Sequence, residues 1–285
     1  SEMMKKLATF LGSFAFSSIV LACEPASDPS RITVAGGSIT EILYLLEMEQ
    51  NIVAVDTTST YPDVAKAFPS IGYVRNLSAE GLLSLSPTLI LGENDMGPPE
   101  TMVQLKSSGI EYFMIDEVHT SWGIIDKFIC VARIIDREEK AQKIVRESFS
   151  VKIKLLEELV IKTARQRPKV MFVLSMRSGS PIVGGKGVSA DGFINMFGGV
   201  NSVNFEGWKP VGPEAIISAD PDMIIITKRG LKGYGTRREL KNHPYLRLTK
   251  AAKTDNILTM DGMEMLGFSP RTLSAAVFVA KEMVK

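Results

Sequence analysis

The sequence predicts an α/β fold built from two Rossmann-like lobes with parallel central sheets, joined by one long α-helix. Three observations lead to this prediction. Short apolar strand patterns alternate with helical patterns in both halves of the chain. A stretch without glycine or proline, residues 136–167, separates the halves. The halves also resemble each other, because LSAEGLLSLSPTLIL (77–91) has the same pattern as VGPEAIISADPDMII (211–225).

The N-terminal half begins with a strand pattern, RITVA (31–35), that ends at Gly36-Gly37. Ser38 followed three residues later by Glu41 matches a capping box, which predicts that a helix starts at Ser38. Further strand patterns lie at 52–55, 89–91 and 112–115, with helical patterns between them. Strands that alternate with helices are typical of parallel βα units.

The charged stretch 136–167 has apolar residues at helical spacing and stops at Pro168. About 30 helical residues would span about 45 Å. Strand patterns then return at 170–174, 223–226 and 257–260, and helices are expected at 190–197 and 269–283. The predicted domains are a leader at 1–30, an N-terminal lobe at 31–135, a linking helix at 136–167 and a C-terminal lobe at 168–285. Since one helix does not bend easily, we expect closing motions of the lobes to be small.

The N-terminus reads as a targeting segment. Lys5 and Lys6 precede an apolar stretch (7–21) that has the length of a signal-peptide core and is too short to span a bilayer comfortably. Cys23 follows Val-Leu-Ala, which resembles a lipoprotein cleavage site and would make Cys23 a lipid anchor. The alternative is ordinary signal-peptide cleavage near Ala26. Both alternatives predict export to the periplasm, and Cys130, on an apolar helical stretch, is then expected to be a buried free thiol.

Composition excludes several functions. A net charge of +1 argues against nucleic acid as the main partner. Two cysteines and two histidines do not suffice for a tetrahedral zinc cluster plus other sites, so a bound metal would need an oxygen ligand or would arrive inside a cofactor. We find no paired acid–base constellation, Gly-x-Ser-x-Gly motif or histidine-based triad, and therefore expect no catalytic residues and no enzyme activity. Gly184–Gly187 lacks the spacing of a phosphate-binding loop.

Four segments carry a family resemblance: VAGGSITEILYLL (34–46), VDTTSTYP (55–62), GYVRNLSAEGLLSLSPTLIL (72–91) and GFSPRTLSAAV (267–277). They resemble the class III periplasmic substrate-binding proteins of ABC importers, which include vitamin B12 and siderophore binders. Within that class the chain is similar to the haem binders. The resemblance extends from about Arg31 to the C-terminus, and the segment 72–91 is its most specific part.

The resemblance implies that haem b (hemin) is the transported ligand and that Tyr73 is the iron ligand, supported by Arg75. The chemistry is consistent with this, because a phenol has a pKa near 10 and needs ferric iron and a neighbouring cation to bind as phenolate. Some relatives add a histidine after the first strand of the second lobe, but residues 175–179 read SMRSG. We therefore expect five-coordinate iron. His119 and His243 are expected to be surface or loop residues.

Further site residues are expected around the inter-lobe cleft. The carboxylates of haem propionates pair favourably with cations. The candidates are Arg229, which matches a basic position of haem-binding relatives, and also Arg177 and Lys228. The candidates for the cleft lining, each with a core position as the alternative, are Tyr61, Met96, Met263, Met265 and Phe268.

Glu80 and Glu214 occupy equivalent places in the two halves, seven residues before a proline. The resemblance implies that each docks onto one subunit of an ABC permease dimer; as acids at helix N-termini they would also interact favourably with the helix dipole. The expected partners are therefore haem and this permease, with an outer-membrane haem receptor system upstream.

The sequence thus predicts a periplasmic protein that captures haem between two lobes and delivers it to an ABC importer. The alternative within the same class is a binder of a ferric siderophore or cobalamin. A haem-degrading or redox enzyme and a pure interaction module are the other classes.

Overall fold

The computed structural model describes residues 23–285, and the predicted leader up to residue 22 lies outside the described residues. The predicted α/β fold is confirmed. Two separate sheets lie on either side of the linking helical segment, one of four strands and one of six. Among the described residues, no helix is both long and apolar enough to cross a membrane.

The N-terminal sheet has the strand order β2-β1-β3-β4, with every pair parallel. Its strands are β1 (Ile32–Ala35), β2 (Ile52–Val55), β3 (Leu89–Glu93) and β4 (Glu111–Ile115). The helices of this lobe are α1 (Gly37–Leu45), α2 (Ala79–Leu83), α3 (Pro99–Ser108) and α4 (Ser121–Ile134). The strands are short and apolar because helices cover both faces of a parallel sheet.

The linking segment is helical from Glu138 to Thr163. It consists of α5 (Glu138–Ile144), one π-helical turn (Val145–Phe149) and α6 (Ser150–Thr163). The predicted uninterrupted α-helix is therefore shorter than 136–167 and contains a π-turn. The buried side chains of Phe149, Ile153, Leu156 and Leu159 attach it to the core.

The C-terminal sheet repeats the N-terminal order. Strands β7, β5, β9 and β10 pair in parallel, in the sequence that β2, β1, β3 and β4 follow, and an antiparallel extension, β6 and β8, is added at β5. The strands are β5 (Lys169–Arg177), β6 (Ser180–Gly184), β7 (Val200–Asn201), β8 (Trp208–Pro210), β9 (Met223–Thr227) and β10 (Ile257–Met260). The helices are α7 (Ser189–Met196), α8 (Pro213–Ala219), α9 (Lys228–Tyr234), α10 (Arg237–Lys241), α11 (Lys250–Lys253), α12 (Gly262–Leu266) and α13 (Pro270–Met283).

The expected capping box at the start of α1 is wrong. The helix begins at Gly37 after Gly36, and no side chain caps it. Ser38 is buried and donates from Oγ to Glu93 Oε1 at 2.5 Å, at the end of β3. Glu41 is also buried and accepts hydrogen bonds from the C-terminal lobe instead of from its own helix.

One buried ionic contact between the lobes centres on Glu41. Its Oε1 accepts from Ser269 Oγ at 3.0 Å and from Arg271 Nε at 2.9 Å, and both donors lie at the start of α13. Arg271 also contacts Asp261, with Nη2 at 3.3 Å from Oδ2. Burial raises the pKa of the Glu41 carboxyl, although the hydrogen bonds from Arg271 and Ser269 oppose that rise. The contact fixes α1 of one lobe against α13 of the other.

A second buried contact centres on Lys127 of α4, whose side chain is 1% exposed. Lys127 Nζ lies 2.6 Å from Glu117 Oε1, 3.8 Å from Glu93 Oε1 and 3.4 Å from the carbonyl oxygen of Gly267. Gly267 belongs to the C-terminal lobe, so this cluster also joins the lobes. Burial alone would raise the pKa of Glu117, but hydrogen bonds from His119 and Lys127 outweigh it and hold that pKa below its ordinary value.

Glu93 is farther from Lys127 than Glu117 is, so its carboxyl receives less stabilisation from that cation. Burial raises its pKa from 4.5 to about 7, because the attraction of Lys127 and the hydrogen bond from Ser38 only partly offset burial and the repulsion from Glu117 and Asp95. A Cβ on the neighbouring Gly36 would lie 2.4 Å from Glu93 Cγ, so a residue without a side chain is required there.

Residues 23–30, which the sequence analysis assigned to the leader, contact the N-terminal lobe. The Ala26 N–H donates to the Ile134 carbonyl at 2.9 Å, and Asn51 Nδ2 donates to the Pro29 carbonyl at 3.1 Å. Cys23 forms a disulfide with Cys130, with a Cα–Cα distance of 5.3 Å. The expectation of a free thiol at Cys130 is therefore wrong, because the buried sulfur on α4 has a partner 107 residues earlier in the chain.

We expect loss of this disulfide to destabilise the protein, because it closes a long loop that contains the whole N-terminal sheet. Reduction, or Cys130→Ala, should lower the free energy of unfolding by about 2–4 kcal/mol. Denaturant unfolding with and without reductant measures the change. Cys130→Ala should show no further loss on reduction, and an unchanged midpoint for the reduced wild type would contradict the expectation.

The raised pKa of Glu93 makes stability depend on pH. Its folded pKa of about 7 exceeds the unfolded value of 4.5, so the folded state holds the extra proton between these values and stability falls as pH rises through that window. In Glu93→Gln this fall should be smaller by up to about 3 kcal/mol between pH 4.5 and 7.5. Denaturant unfolding at several pH values tests this, with the exposed Glu80→Gln as control. Parallel pH profiles for wild type and Glu93→Gln would contradict it.

Candidate functional site

The candidate site is built from residues at the carboxyl ends of the strands in the two parallel sheets. In open α/β sheets, ligands bind outside the carboxyl ends of the strands. The loop after β2 carries Tyr61, Tyr73 and Arg75, and Asp95 follows β3. In the second lobe Arg177 ends β5, while Lys228 and Arg229 follow β9.

Tyr73 is held at this edge by backbone pairing. The Ile71 N–H donates to the Val55 carbonyl at 2.9 Å and the Thr57 N–H donates to the Gly72 carbonyl at 2.9 Å, so the loop continues beside β2. Gly72 has a φ of +93°, a conformation that suits glycine. The Tyr73 side chain is left 42% exposed.

The structure brings the two predicted ligand-side residues together. The Arg75 guanidinium carbon lies 5.6 Å from the centroid of the Tyr73 ring, a cation–π distance. Arg75 Nε also lies 3.2 Å from Asp95 Oδ2, and both side chains are well exposed. Asp95, which the sequence did not single out, thus forms an exposed ion pair with Arg75 next to the Tyr73 ring. The only feature of the sequence that could have indicated Asp95 as a site residue is its position just after an apolar strand.

Tyr61 stacks on an arginine from the opposite lobe. The Arg271 guanidinium carbon lies 4.0 Å from the Tyr61 ring centroid, and the tyrosine is 48% exposed. Arg271 lay within the GFSPR segment of the resemblance, but no role was assigned to it. Because Arg271 also binds Glu41, the Tyr61 ring packs directly against this inter-lobe contact.

The C-terminal lobe contributes three exposed cations. Lys228 and Arg229 lie in the first turn of α9, which Thr227 caps by accepting from the Gly230 N–H at 2.9 Å. Arg177 lies beside the turn between β5 and β6. In the part of the chain that the structure describes, none of these three has an acidic partner within salt-bridge distance. A ligand that carries carboxylates could therefore pair with them without displacing an existing partner.

His243 lies in a loop, one of the two positions expected for it, but it is buried at 3% exposure. Its Nδ1 accepts from the Tyr245 and Leu246 N–H groups, so Nε2 carries the proton that is donated to the Gly179 carbonyl at 2.6 Å. Gly179 belongs to the turn that follows Arg177. His243 therefore supports the hairpin on which Arg177 is carried.

Three of the expected lining residues belong to the core. Met96, Met265 and Phe268 are 3%, 0% and 0% exposed, which corresponds to the core alternative named for them. Each packs against an apolar cluster formed by sheet and helices. Met263 is half-buried, and a Cβ on Gly37 would lie 2.7 Å from its Cε, so it contacts the other lobe. Tyr61 remains accessible.

His119 lies in the loop between β4 and α4, as expected, and packs at the lobe contact. Its Nε2 is 3.3 Å from Glu117 Oε2, and its ring centroid is 4.8 Å from that of Phe268. Within residues 23–285, no three side chains of His, Cys, Asp or Glu are grouped so as to hold a metal ion. Tyr73 and Tyr61 are both exposed oxygen donors with an adjacent cation, Arg75 and Arg271 respectively.

Glu80 and Glu214 occupy matching positions in the repeated topology. Glu80 lies in the first turn of α2, which precedes β3, and Glu214 lies in the first turn of α8, which precedes β9. β3 and β9 occupy equivalent places in the repeated strand order. Both glutamates are exposed. The internal sequence similarity therefore corresponds to a structural repeat that places one acid on each lobe.

Two curated proteins show sequence similarity to the chain. It is 26% identical over 203 residues to an uncharacterized ABC transporter substrate-binding lipoprotein of Bacillus subtilis, and the match covers 70% of this chain and 64% of that protein. It is 24% identical over 285 residues to a vitamin B12-binding protein of Vibrio parahaemolyticus, with 98% and 97% of the two chains covered.

Solved structures give a similar result. The periplasmic heme-binding protein RhuT from Roseiflexus sp. RS-1 matches with a TM-score of 0.80 and 30% identity over 90% of this chain and 98% of that one. The heme-binding protein HutB of Vibrio cholerae matches with a TM-score of 0.79 and 32% identity over 90% and 100% of the chains. The model of the family described as periplasmic binding protein matches residues 32–263. The chain belongs to the periplasmic binding protein family.

Proposed function

We propose that this protein captures haem between its two lobes and delivers it to an ABC importer in the inner membrane. The observation that supports this best is the exposed Tyr73 phenol with the Arg75 guanidinium beside its ring. No bond is made or broken in such a function, and the protein acts as a carrier with no catalytic cofactor. The similarity to heme-binding proteins of the same fold supports the choice of ligand.

In this proposal the Tyr73 oxygen binds the haem iron. A phenolate is a hard oxygen donor and favours ferric iron. The Arg75 guanidinium lies 5.6 Å from the centroid of the Tyr73 ring, close enough to contact a ligand bound at Tyr73. His243 is buried and its ring nitrogens are already hydrogen-bonded, and His119 is paired with Glu117, so we propose that the iron is five-coordinate.

The C-terminal lobe supplies the propionate contacts. Lys228, Arg229 and Arg177 are exposed at the carboxyl edge of the second sheet. A charge-assisted hydrogen bond to a carboxylate contributes about 1.5–3 kcal/mol. Haem would then be held by its iron on one lobe and by its propionates on the other. Tyr61 is the remaining exposed aromatic candidate for contact with the porphyrin, and Met263 a half-buried one.

Cellular location follows from the same proposal. The apolar leader, residues 3–22, would direct export to the periplasm, and an outer-membrane haem receptor system would supply the ligand. Glu80 and Glu214 would contact the two subunits of the permease dimer. Two acids related by the internal repeat suit a partner with two-fold symmetry.

A cobalamin or ferric siderophore binder is the second candidate. The observation that favours it is the similarity to a vitamin B12-binding protein over nearly the whole chain. Such a ligand would not need a phenolate at Tyr73. Dependence of binding on that one hydroxyl group therefore separates the two candidates.

Hemin titration followed by absorbance tests the ligand assignment. The wild type should give a ferric tyrosinate spectrum at one hemin per chain. Tyr73→Phe should abolish that spectrum and weaken binding by about tenfold or more, equivalent to about 1.4 kcal/mol, because the iron loses its oxygen ligand. Tyr61→Phe, an exposed tyrosine of the same loop, should keep the spectrum. Hemin binding that is unaffected in Tyr73→Phe, or preferential binding of cyanocobalamin, would contradict the proposal.

Charge reversal tests the docking surface. Glu80→Lys combined with Glu214→Lys should leave the hemin spectrum unchanged, because both residues lie outside the cleft groups described above. The double variant should reduce stimulation of the reconstituted importer's ATPase by about tenfold, since each side chain would then repel a cationic partner. Glu158→Lys, an exposed acid on the linking segment, serves as control. Full stimulation by the double variant would show that the permease binds elsewhere.

A further inference from the structure

Cys23 and Cys130 join the start of the described chain to the interior of the N-terminal lobe. Cys130 lies on α4 and is 2% exposed, while Cys23 is half-buried and packs against the same apolar core. Their sulfur atoms are bonded to each other. The same Cys23 follows the Val-Leu-Ala sequence that resembles a lipoprotein cleavage site. The Cys23 sulfur can therefore either form the disulfide with Cys130 or carry a lipid, but not both.

The chain after Cys23 leaves little room for a membrane tether. The Ala26 N–H donates to Ile134, the residue that ends α4. The Ser27 N–H donates to the Glu111 carboxylate at 2.9 Å, and Thr88 Oγ1 donates to the Asp28 carbonyl at 2.7 Å. Only three residue steps, at most about 11 Å of extended chain, separate Cys23 from the first of these contacts. A lipid on Cys23 would hold the lobe itself against the membrane, without a flexible spacer.

We propose that Cys23 is retained in the exported protein as the partner of Cys130 and carries no lipid. A lipid anchor forms a thioether through the cysteine sulfur, and a sulfur already in a disulfide cannot form one. The proposal also requires that the leader is cut before Cys23, since cleavage near Ala26 would remove that cysteine.

Formation of the Cys23–Cys130 disulfide needs an oxidant, and the compartment to which the protein is exported supplies one. The two thiols lose two protons and two electrons as the sulfur–sulfur bond forms. A thiol–disulfide oxidoreductase in its oxidised form accepts both electrons and is reduced to a dithiol. Exported proteins meet such an oxidant outside the cytoplasm, where disulfides persist. This step does not depend on the haem proposal.

Intact-mass measurement of the full chain, expressed with its own leader in a Gram-negative host, tests the proposal. Free thiols are blocked with N-ethylmaleimide before purification. The expected product starts at or before Cys23, carries no acyl group, and takes up two maleimides only after reduction. Three results would overturn the proposal: an acyl group on Cys23, a product that starts after Cys23, or maleimide on either cysteine before reduction.

Processing of Cys23→Ser gives an independent test. Lipoprotein processing requires the cysteine at its cleavage site, whereas ordinary signal-peptide cleavage does not. The variant should therefore be exported and processed to the same extent as the wild type, although its folded state loses the disulfide. Cys130→Ser is the matched control, because it loses the same disulfide and leaves the cleavage region intact. Accumulation of unprocessed Cys23→Ser, with normal processing of Cys130→Ser, would overturn the proposal.

Discussion

The segment Gly267–Arg271 is the contact on which the arrangement of the two lobes depends. It accepts a hydrogen bond from the buried Lys127 through the Gly267 carbonyl, and it supplies Ser269 and Arg271 to the buried Glu41. Removing one partner of a buried ion pair costs about 3–5 kcal/mol, because the remaining charge stays buried without compensation. Separation of the lobes at this segment would break both contacts, so the buried charges favour one arrangement of the lobes.

The contacts of Gly267–Arg271 and the linking helical segment both restrict movement between the lobes. The segment crosses between the lobes as one helical rod with a single π-turn, and such a rod resists bending. We therefore expect the cleft to be formed largely before ligand binds, which keeps the free energy spent on ordering small. Ligand release would then require force on both lobes, and the proposed permease contacts, Glu80 and Glu214, lie one on each lobe.

The strand pattern, the linker and the internal repeat were predictable from sequence because each is a local or periodic property. Contacts between distant residues were not. Ser38 and Glu41 have capping-box spacing, yet their side chains bind partners on other elements, one of them in the other lobe. The disulfide of Cys130 and the burial of Phe268 and His243 likewise follow from which elements pack together. Tyr73 could be singled out only through the resemblance of its segment.

The two tyrosine–arginine pairs of the candidate site differ in a way that favours Tyr73 over Tyr61 as the proposed iron ligand. Arg271 is 19% exposed and is fixed by the buried Glu41, with its guanidinium 4.0 Å from the Tyr61 ring. Arg75 is 64% exposed and its partner Asp95 is 43% exposed, so that pair contributes only about 0–1 kcal/mol and exchanges easily. In the haem complex proposed above, a guanidinium held this weakly could move from the ring face toward the Tyr73 oxygen. Tyr73 therefore has an adjustable cation, whereas Arg271 is committed to holding the lobes together.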